Sequence, residues 1–139
     1  MAISFNYQKL PGKKGTDHKT PSIKINIKGR AKYSQNVIAL IDSGADLSVI
    51  PKDIAELLDV DLSGEETVSH GISGEVKVKE SKIRINIKKG HEDYSFVIPI
   101  QIILSGDPPV ILGRRGFFDK FKITIDEKNQ KVMLKRQAD

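Results

Sequence analysis

The sequence predicts a mostly-β, small closed barrel-like domain with one or two short helices. Three observations predict it. Apolar and polar residues alternate over several stretches, as in Ile23-Lys24-Ile25-Asn26-Ile27-Lys28 and again from Val76 to Ile87. Clusters of turn formers separate these stretches at short intervals. Helical signals are confined to two brief segments, after Pro51 and after Arg114. At 139 residues the chain fits one domain. It divides into an N-terminal arm or loop over 1–21 and a single domain over 22–139.

Gln8 to Pro21 is rich in Lys, Gly and Pro and lacks periodicity, so it reads as a loop. Ser22 to Lys28 is a strand, 29–36 a turn region, and Val37 to Asp42 the returning strand. Pro51 to Leu58 is the clearest helix. Pro51 suits its first position, and Ile54, Leu57 and Leu58 form an apolar stripe. Asp53 lies near the positive end of its dipole. Glu66 to His70 is short and extended, and Val76 to Ile87 alternates. Lys88 to Asp93 is a hairpin turn. Tyr94 to Leu104 is a strand in which Pro99 implies an edge or a bulge. After the 105–109 loop, Val110-Ile111-Leu112-Gly113 is a short apolar strand ending in glycine. Arg114 to Phe121 reads as a short helix. Lys122–Asp126 and Lys131–Lys135 form a closing hairpin.

Composition narrows the chemistry. Without cysteine there are no disulfides, thiol nucleophiles or thiolate metal sites. His18, His70 and His91 are not at ligand spacing, so no metal site is expected. No cofactor is expected either. His18 and His91 sit in polar, turn-like sequence and should be exposed. The 23 basic residues outnumber the 18 acidic ones, but the lysines alternate along strands and so belong to solvated faces. A nucleic-acid surface would concentrate them among aromatics, which are only 6% here. No nucleic-acid partner is expected. No apolar run has membrane-spanning length, and the first residues have neither a basic start nor an apolar block. No membrane partner is expected, and the expected location is cytoplasmic.

The chemically informative stretch is Leu40-Ile41-Asp42-Ser43-Gly44-Ala45-Asp46. An apolar strand stops at a carboxylate, then a hydroxyl, then a glycine. A carboxylate flanked by this much apolar sequence should be partly buried, where desolvation favours its neutral form, and such groups mark candidate active sites. Alone, Asp-Ser-Gly reads equally as a turn. So does Gly71-Ile72-Ser73-Gly74 between its extended flanks, and Arg114 alone could be a surface cation.

Together these pieces resemble the retropepsin-type aspartic proteases, over residues 21–136. Asp42-Ser43-Gly44 resembles the active-site loop of that family, Gly71 to Gly74 its flap, and Val110-Ile111-Leu112-Gly113-Arg114 its second apolar-apolar-Gly motif. Phe117 to Phe121 would be the helix that follows. The resemblance implies a retropepsin (acid protease) fold, homodimeric, acting as an aspartic endopeptidase on peptide or protein substrates. It implies that Asp42 is the catalytic carboxylate, paired with Asp42 of a second copy. Ser43 would bond across the two-fold axis, and Gly44 would admit substrate backbone. Ala45 and Asp46 would touch substrate, Asp46 would pair with Arg114, and Gly113 and Arg114 would support the loop. Gly71, Ile72, Ser73 and Gly74 would close over the peptide. A catalytically weak or inactive module that binds peptide or only dimerises is the alternative. Departures from the viral pattern are Arg115-Gly116, a flap with fewer glycines, Glu75 beside that flap, a longer N-terminal arm and a longer closing hairpin.

Overall fold

The computed structural model of the chain describes residues 2–11, 18–71 and 74–138. Ten strands and one regular helix follow in order: β1 (Ala2–Asn6), β2 (Ser22–Lys28), β3 (Gln35–Ile41), β4 (Ser48–Pro51), α1 (Lys52–Leu57), β5 (Glu66–Gly71), β6 (Gly74–Lys89), β7 (Glu92–Ile103), β8 (Val110–Leu112), β9 (Phe121–Asp126) and β10 (Lys131–Arg136). A one-turn helical segment, Arg114–Phe118, lies between β8 and β9.

Six strands close into a barrel in the order β2-β3-β8-β4-β7-β6, with β6 returning to β2 through Asn26↔Asn86, Ile27↔Ile85 and Lys28↔Arg84. Closure removes the open edges that an unclosed sheet would expose. Alternation decides what fills it. Ile23, Ile25 and Ile27 of β2, Ile83, Ile85 and Ile87 of β6, and Ile98, Ile100 and Ile102 of β7 all point inward and are buried. Lys24 and Arg84, between isoleucines of β2 and β6, face water, as their spacing predicts. β5 pairs with β6 outside the closed ring, so the two project as a hairpin up to the pair Gly71↔Gly74.

The segment expected as an arm over 1–21 contributes more than a loop. β1 pairs antiparallel with β10, which pairs with β9, in a separate three-stranded sheet. Ile3 and Tyr7 join Phe117, Phe121, Val132 and Leu134 in the same core as the barrel isoleucines. Phe121 binds this sheet to the barrel. Its ring centre lies 5.3 Å from that of Tyr94 and 5.8 Å from that of Phe96, separations at which aromatic pairs attract beyond their buried area. Gln8 and Thr20 form a bridge at the base of the intervening loop.

Three local expectations change. Pro51 is the extended residue before α1, not its first helical residue (φ −74°, ψ 157°). Within the stripe assigned to α1, Leu58 is buried and Ile54 packs on the core, but Leu57 is 47% exposed and Ala55 takes the inward place. No regular helix spans 114–121. Arg115 is extended (φ −75°, ψ 122°) and Gly116 has φ 91°, which breaks the helical run. Asp119 accepts a hydrogen bond from the Gly116 amide at 2.9 Å, and β9 already begins at Phe121. Pro99 sits within β7, a strand flanked on both sides. β4 joins β7 only from Ile100 onward, so the residue lacking an amide hydrogen lies where β7 has only β6 beside it.

Candidate active site

β3 ends at Ile41, and Asp42 follows with its amide donating to the Leu112 carbonyl of β8 at 3.1 Å. The chain then turns at once. One Asp42 carboxylate oxygen accepts from the Gly44 amide at 2.9 Å, and the Asp42 carbonyl accepts from Ala45 at 3.2 Å. Aspartate commonly makes this bond to the backbone two residues on, which folds the loop locally. Asp42 is half-buried, and Ser43 and Gly44 are exposed beside it. The carboxylate is therefore held in a fixed orientation at the rim of the barrel. The buried apolar residue on the loop is Leu47, 8% exposed.

Gly113 and Arg114 lie against this loop. The amides of Arg114 and Arg115 donate to the carbonyls of Ala45 and Asp46, both at 2.9 Å. A Cβ on Gly113 would sit 2.7 Å from backbone atoms of Leu47 and 2.8 Å from the Ala45 carbonyl. No other residue type fits there without moving the loop. At Gly44 a Cβ would meet only the Asp42 carboxylate oxygen, at 3.2 Å. The Arg114 guanidinium approaches the Asp46 carboxylate at 3.7 Å, with side chains 58% and 65% exposed. Exposed pairs of this kind contribute about 0–1 kcal/mol. The contact between these two residues is present, but neither charge is buried in the single chain.

The structure thus brings Asp42, Ser43, Gly44, Ala45, Asp46, Gly113 and Arg114 together. Gly71 and Gly74 lie apart from them in sequence, paired at the end of the β5–β6 hairpin. Ile72 and Ser73, expected at the tip, lie outside the described residues. His70 and Glu75 face each other across that hairpin at 3.9 Å, with side chains 77% and 70% exposed. His18 and His91 are exposed. Among the described residues no group of three His, Asp or Glu side chains could hold a metal ion, and no helix is long and apolar enough to cross a membrane.

One residue that bears on this site escaped sequence reasoning. Ser48, 1% exposed, opens β4, and its Oγ accepts from the Gly113 amide at 3.0 Å. The only signal was a hydroxyl within the apolar run Leu47-Ser48-Val49-Ile50. A cavity of about 640 Å3 lies elsewhere, bounded by Ile38, Ile54, Pro108, Pro109 and Val110, and residues 42–46 are not among its described walls. On the single chain Asp42 is half-buried at the rim, with Ser43 and Gly44 exposed beside it.

Comparison with known proteins places this arrangement. The family described as aspartyl protease matches residues 23–115, well over half of the chain. Among solved structures, a retropepsin-like aspartic protease from Rickettsia conorii superposes with a TM-score of 0.62 at 19% identity, covering 96% of this chain and 98% of that one. The retroviral protease-like domain of Ddi1 from Leishmania major superposes with a TM-score of 0.54 at 18% identity, covering 86% of this chain and 97% of that one. At these identities the likeness shows the fold. Among curated proteins none matches.

Proposed function

The chain belongs to the aspartyl protease family and has the retropepsin-like fold, and from that premise we propose that it is a homodimeric endopeptidase of extended peptides. The observation that carries this reading is the placement of Asp42. A single Asp-Ser-Gly loop holds one oriented, half-buried carboxylate at the barrel rim, with Ser43 and Gly44 exposed beside it. One carboxylate at the rim is half of an acid–base pair, and a second copy would supply both the other carboxylate and the other wall. Isologous dimers are the commonest soluble assembly. Because β1 pairs with β10 of its own chain, this dimer would not need terminal strands exchanged between protomers.

In the dimer the two Asp42 carboxylates would share one proton, as is established for aspartic proteases. The ionised one takes a proton from water as the water oxygen attacks the peptide carbonyl carbon. The protonated one donates to the carbonyl oxygen as it gains charge. In collapse of the tetrahedral diol, one carboxylate takes a proton from a diol hydroxyl while the other carboxyl gives its proton to the leaving amine, and the C–N bond breaks. Ser43, exposed beside Asp42, would bond across the two-fold axis. Gly44 admits substrate backbone because nothing projects from it, Ala45 and Asp46 extend that contact, and Gly71 to Gly74 would fold over the peptide. The site of action would be the cytoplasm.

The test is cleavage of a peptide library by purified protein, with and without a statine-containing peptide. Wild type is expected to cleave and to be inhibited. Asp42→Asn is expected to lose at least about a thousandfold in kcat while keeping the dimer mass in sedimentation, since shape is retained and acid–base chemistry is removed. Wild-type turnover in Asp42→Asn would overturn the reading.

A further inference from the structure

We propose that Ser48 is a positioning residue for Asp42: its buried hydroxyl holds the Gly113 amide and so locks the catalytic loop to β8. The proposal rests on the reading of Asp42 as the catalytic carboxylate. Four hydrogen bonds tie the loop over 42–48 to the segment 112–115. Three run from backbone to backbone: Asp42 amide to Leu112 carbonyl, Arg114 amide to Ala45 carbonyl, and Arg115 amide to Asp46 carbonyl. The fourth runs from the Gly113 amide to the Ser48 hydroxyl oxygen and is itself buried. Ser48 is thus the one position whose side chain decides whether this set is complete.

The geometry makes that bond hard to replace. Gly113 approaches the loop so closely that a Cβ would meet Leu47 and Ala45 backbone at 2.7–2.8 Å. An amide enclosed in this way must find its acceptor in the protein. The nearby amides of Asp42 and Arg114 donate to the carbonyls of Leu112 and Ala45, and the Gly113 amide would lose its acceptor if the hydroxyl were removed. A buried unpaired amide is relieved by moving its segment. That segment carries Leu112, whose carbonyl holds Asp42 by its amide. A displacement there moves the carboxylate without touching substrate, and misplacement of a reacting group by about 1 Å costs on the order of a hundredfold in rate. The effect therefore belongs in kcat rather than KM.

The experiment compares wild type, Ser48→Ala and Ser48→Thr by steady-state kinetics, thermal melting and amide hydrogen exchange followed by NMR. In wild type the Gly113 amide is expected to exchange as slowly as the core amides of β8. This arm needs neither activity nor a variant, and fast exchange of Gly113 would overturn the proposal. Ser48→Ala is expected to lose about tenfold or more in kcat with KM within about twofold, and to exchange Gly113 faster by a similar factor. Ser48→Thr, which keeps the hydroxyl, is expected to recover both. A fall in kcat with Gly113 exchange unchanged, or a rise in KM alone, would show that Ser48 does not act through this bond. If wild type cleaves no peptide, the proposed function fails while the exchange arm still tests the clamp.

Discussion

The two glycines that frame Asp42 are there for different physical reasons, and substitution should separate them. Gly44 has open space except for the Asp42 carboxylate oxygen 3.2 Å from where a Cβ would lie. Gly44→Ala is expected to push the carboxylate from its orientation, lowering kcat by about tenfold or more, while the melting temperature falls by no more than a few degrees. Gly113 has no such space, so Gly113→Ala is expected to cost about 1–3 kcal/mol or more of stability through overpacking against fixed backbone. Kinetics alongside chemical denaturation distinguish the two, and equal stability losses would contradict the steric argument. The Asp42 loop was legible in the sequence because its signal is local: an apolar run, then Asp-Ser-Gly. Gly113 was legible as a pattern, although the reason for it, contact with Leu47 and Ala45, is visible only in three dimensions. Ser48 was not legible. A serine in a strand looks like ordinary alternation, and its partner lies 65 residues away.

At the scale of elements, the alternation of β2 and β6 was legible because each strand satisfies its pattern within itself. β1 was missed because its partner β10 lies at the opposite end of the chain. The segment 114–121 does not run as the expected helix because Gly116 at positive φ turns the chain, and Phe117 and Phe121 enter the core. The junction of β1 with the closing hairpin is testable through Tyr7. Its amide donates to the Gln130 carbonyl at 2.9 Å, and its hydroxyl donates to Glu127 at 3.1 Å. Burial first, then the bond to Glu127, pushes the Tyr7 phenol above its ordinary value of 10.0. The folded state thus holds this proton more tightly than the unfolded state. Its contribution is fully present below pH 10 and is lost as pH rises through the raised folded value. Tyr7→Phe is expected to flatten part of the alkaline loss of stability, read as urea midpoints at about pH 9 and about pH 11. Tyr94, raised by its hydrogen bond to Glu92, keeps a residual slope. The β5–β6 hairpin is testable by deletion at its tip. Deleting Ile72 and Ser73 is expected to raise KM and lower kcat together, as for a lid that closes on substrate. Unchanged kinetics would mean that the hairpin has no such role.

At the scale of the whole molecule, the proposed function makes activity and assembly one question, because the sequence has a single Asp-Ser-Gly motif. Dilution should therefore reduce specific activity in parallel with the dimer fraction seen in sedimentation, and a monomer that cleaves peptides would exclude the paired mechanism. The pH profile tests the pair itself. Two carboxylates in contact titrate as a unit, in two macroscopic steps. Only the singly protonated pair can both deprotonate water and donate to the carbonyl oxygen. Activity is therefore expected to be bell-shaped, with a maximum on the order of pH 4 to 6, in line with the established behaviour of aspartic proteases. On the acidic limb the pair gains its second proton and loses the base. On the alkaline limb it loses the shared proton and, with it, the acid. A further acidic process can be told apart. The Asp126 carboxyl is held below its ordinary value mainly by hydrogen bonds from Asn129, so its stabilising effect is present above the ordinary carboxylate value and is lost as pH falls through the lowered folded one. Loss of that effect lowers the folded fraction, whereas protonation of the pair would remove activity from protein that remains folded. Initial rates on one fluorogenic peptide, corrected at each pH for folded and dimeric fractions, should still show both limbs. A corrected rate that climbs steadily past about pH 8 is incompatible with a shared-proton carboxylate pair.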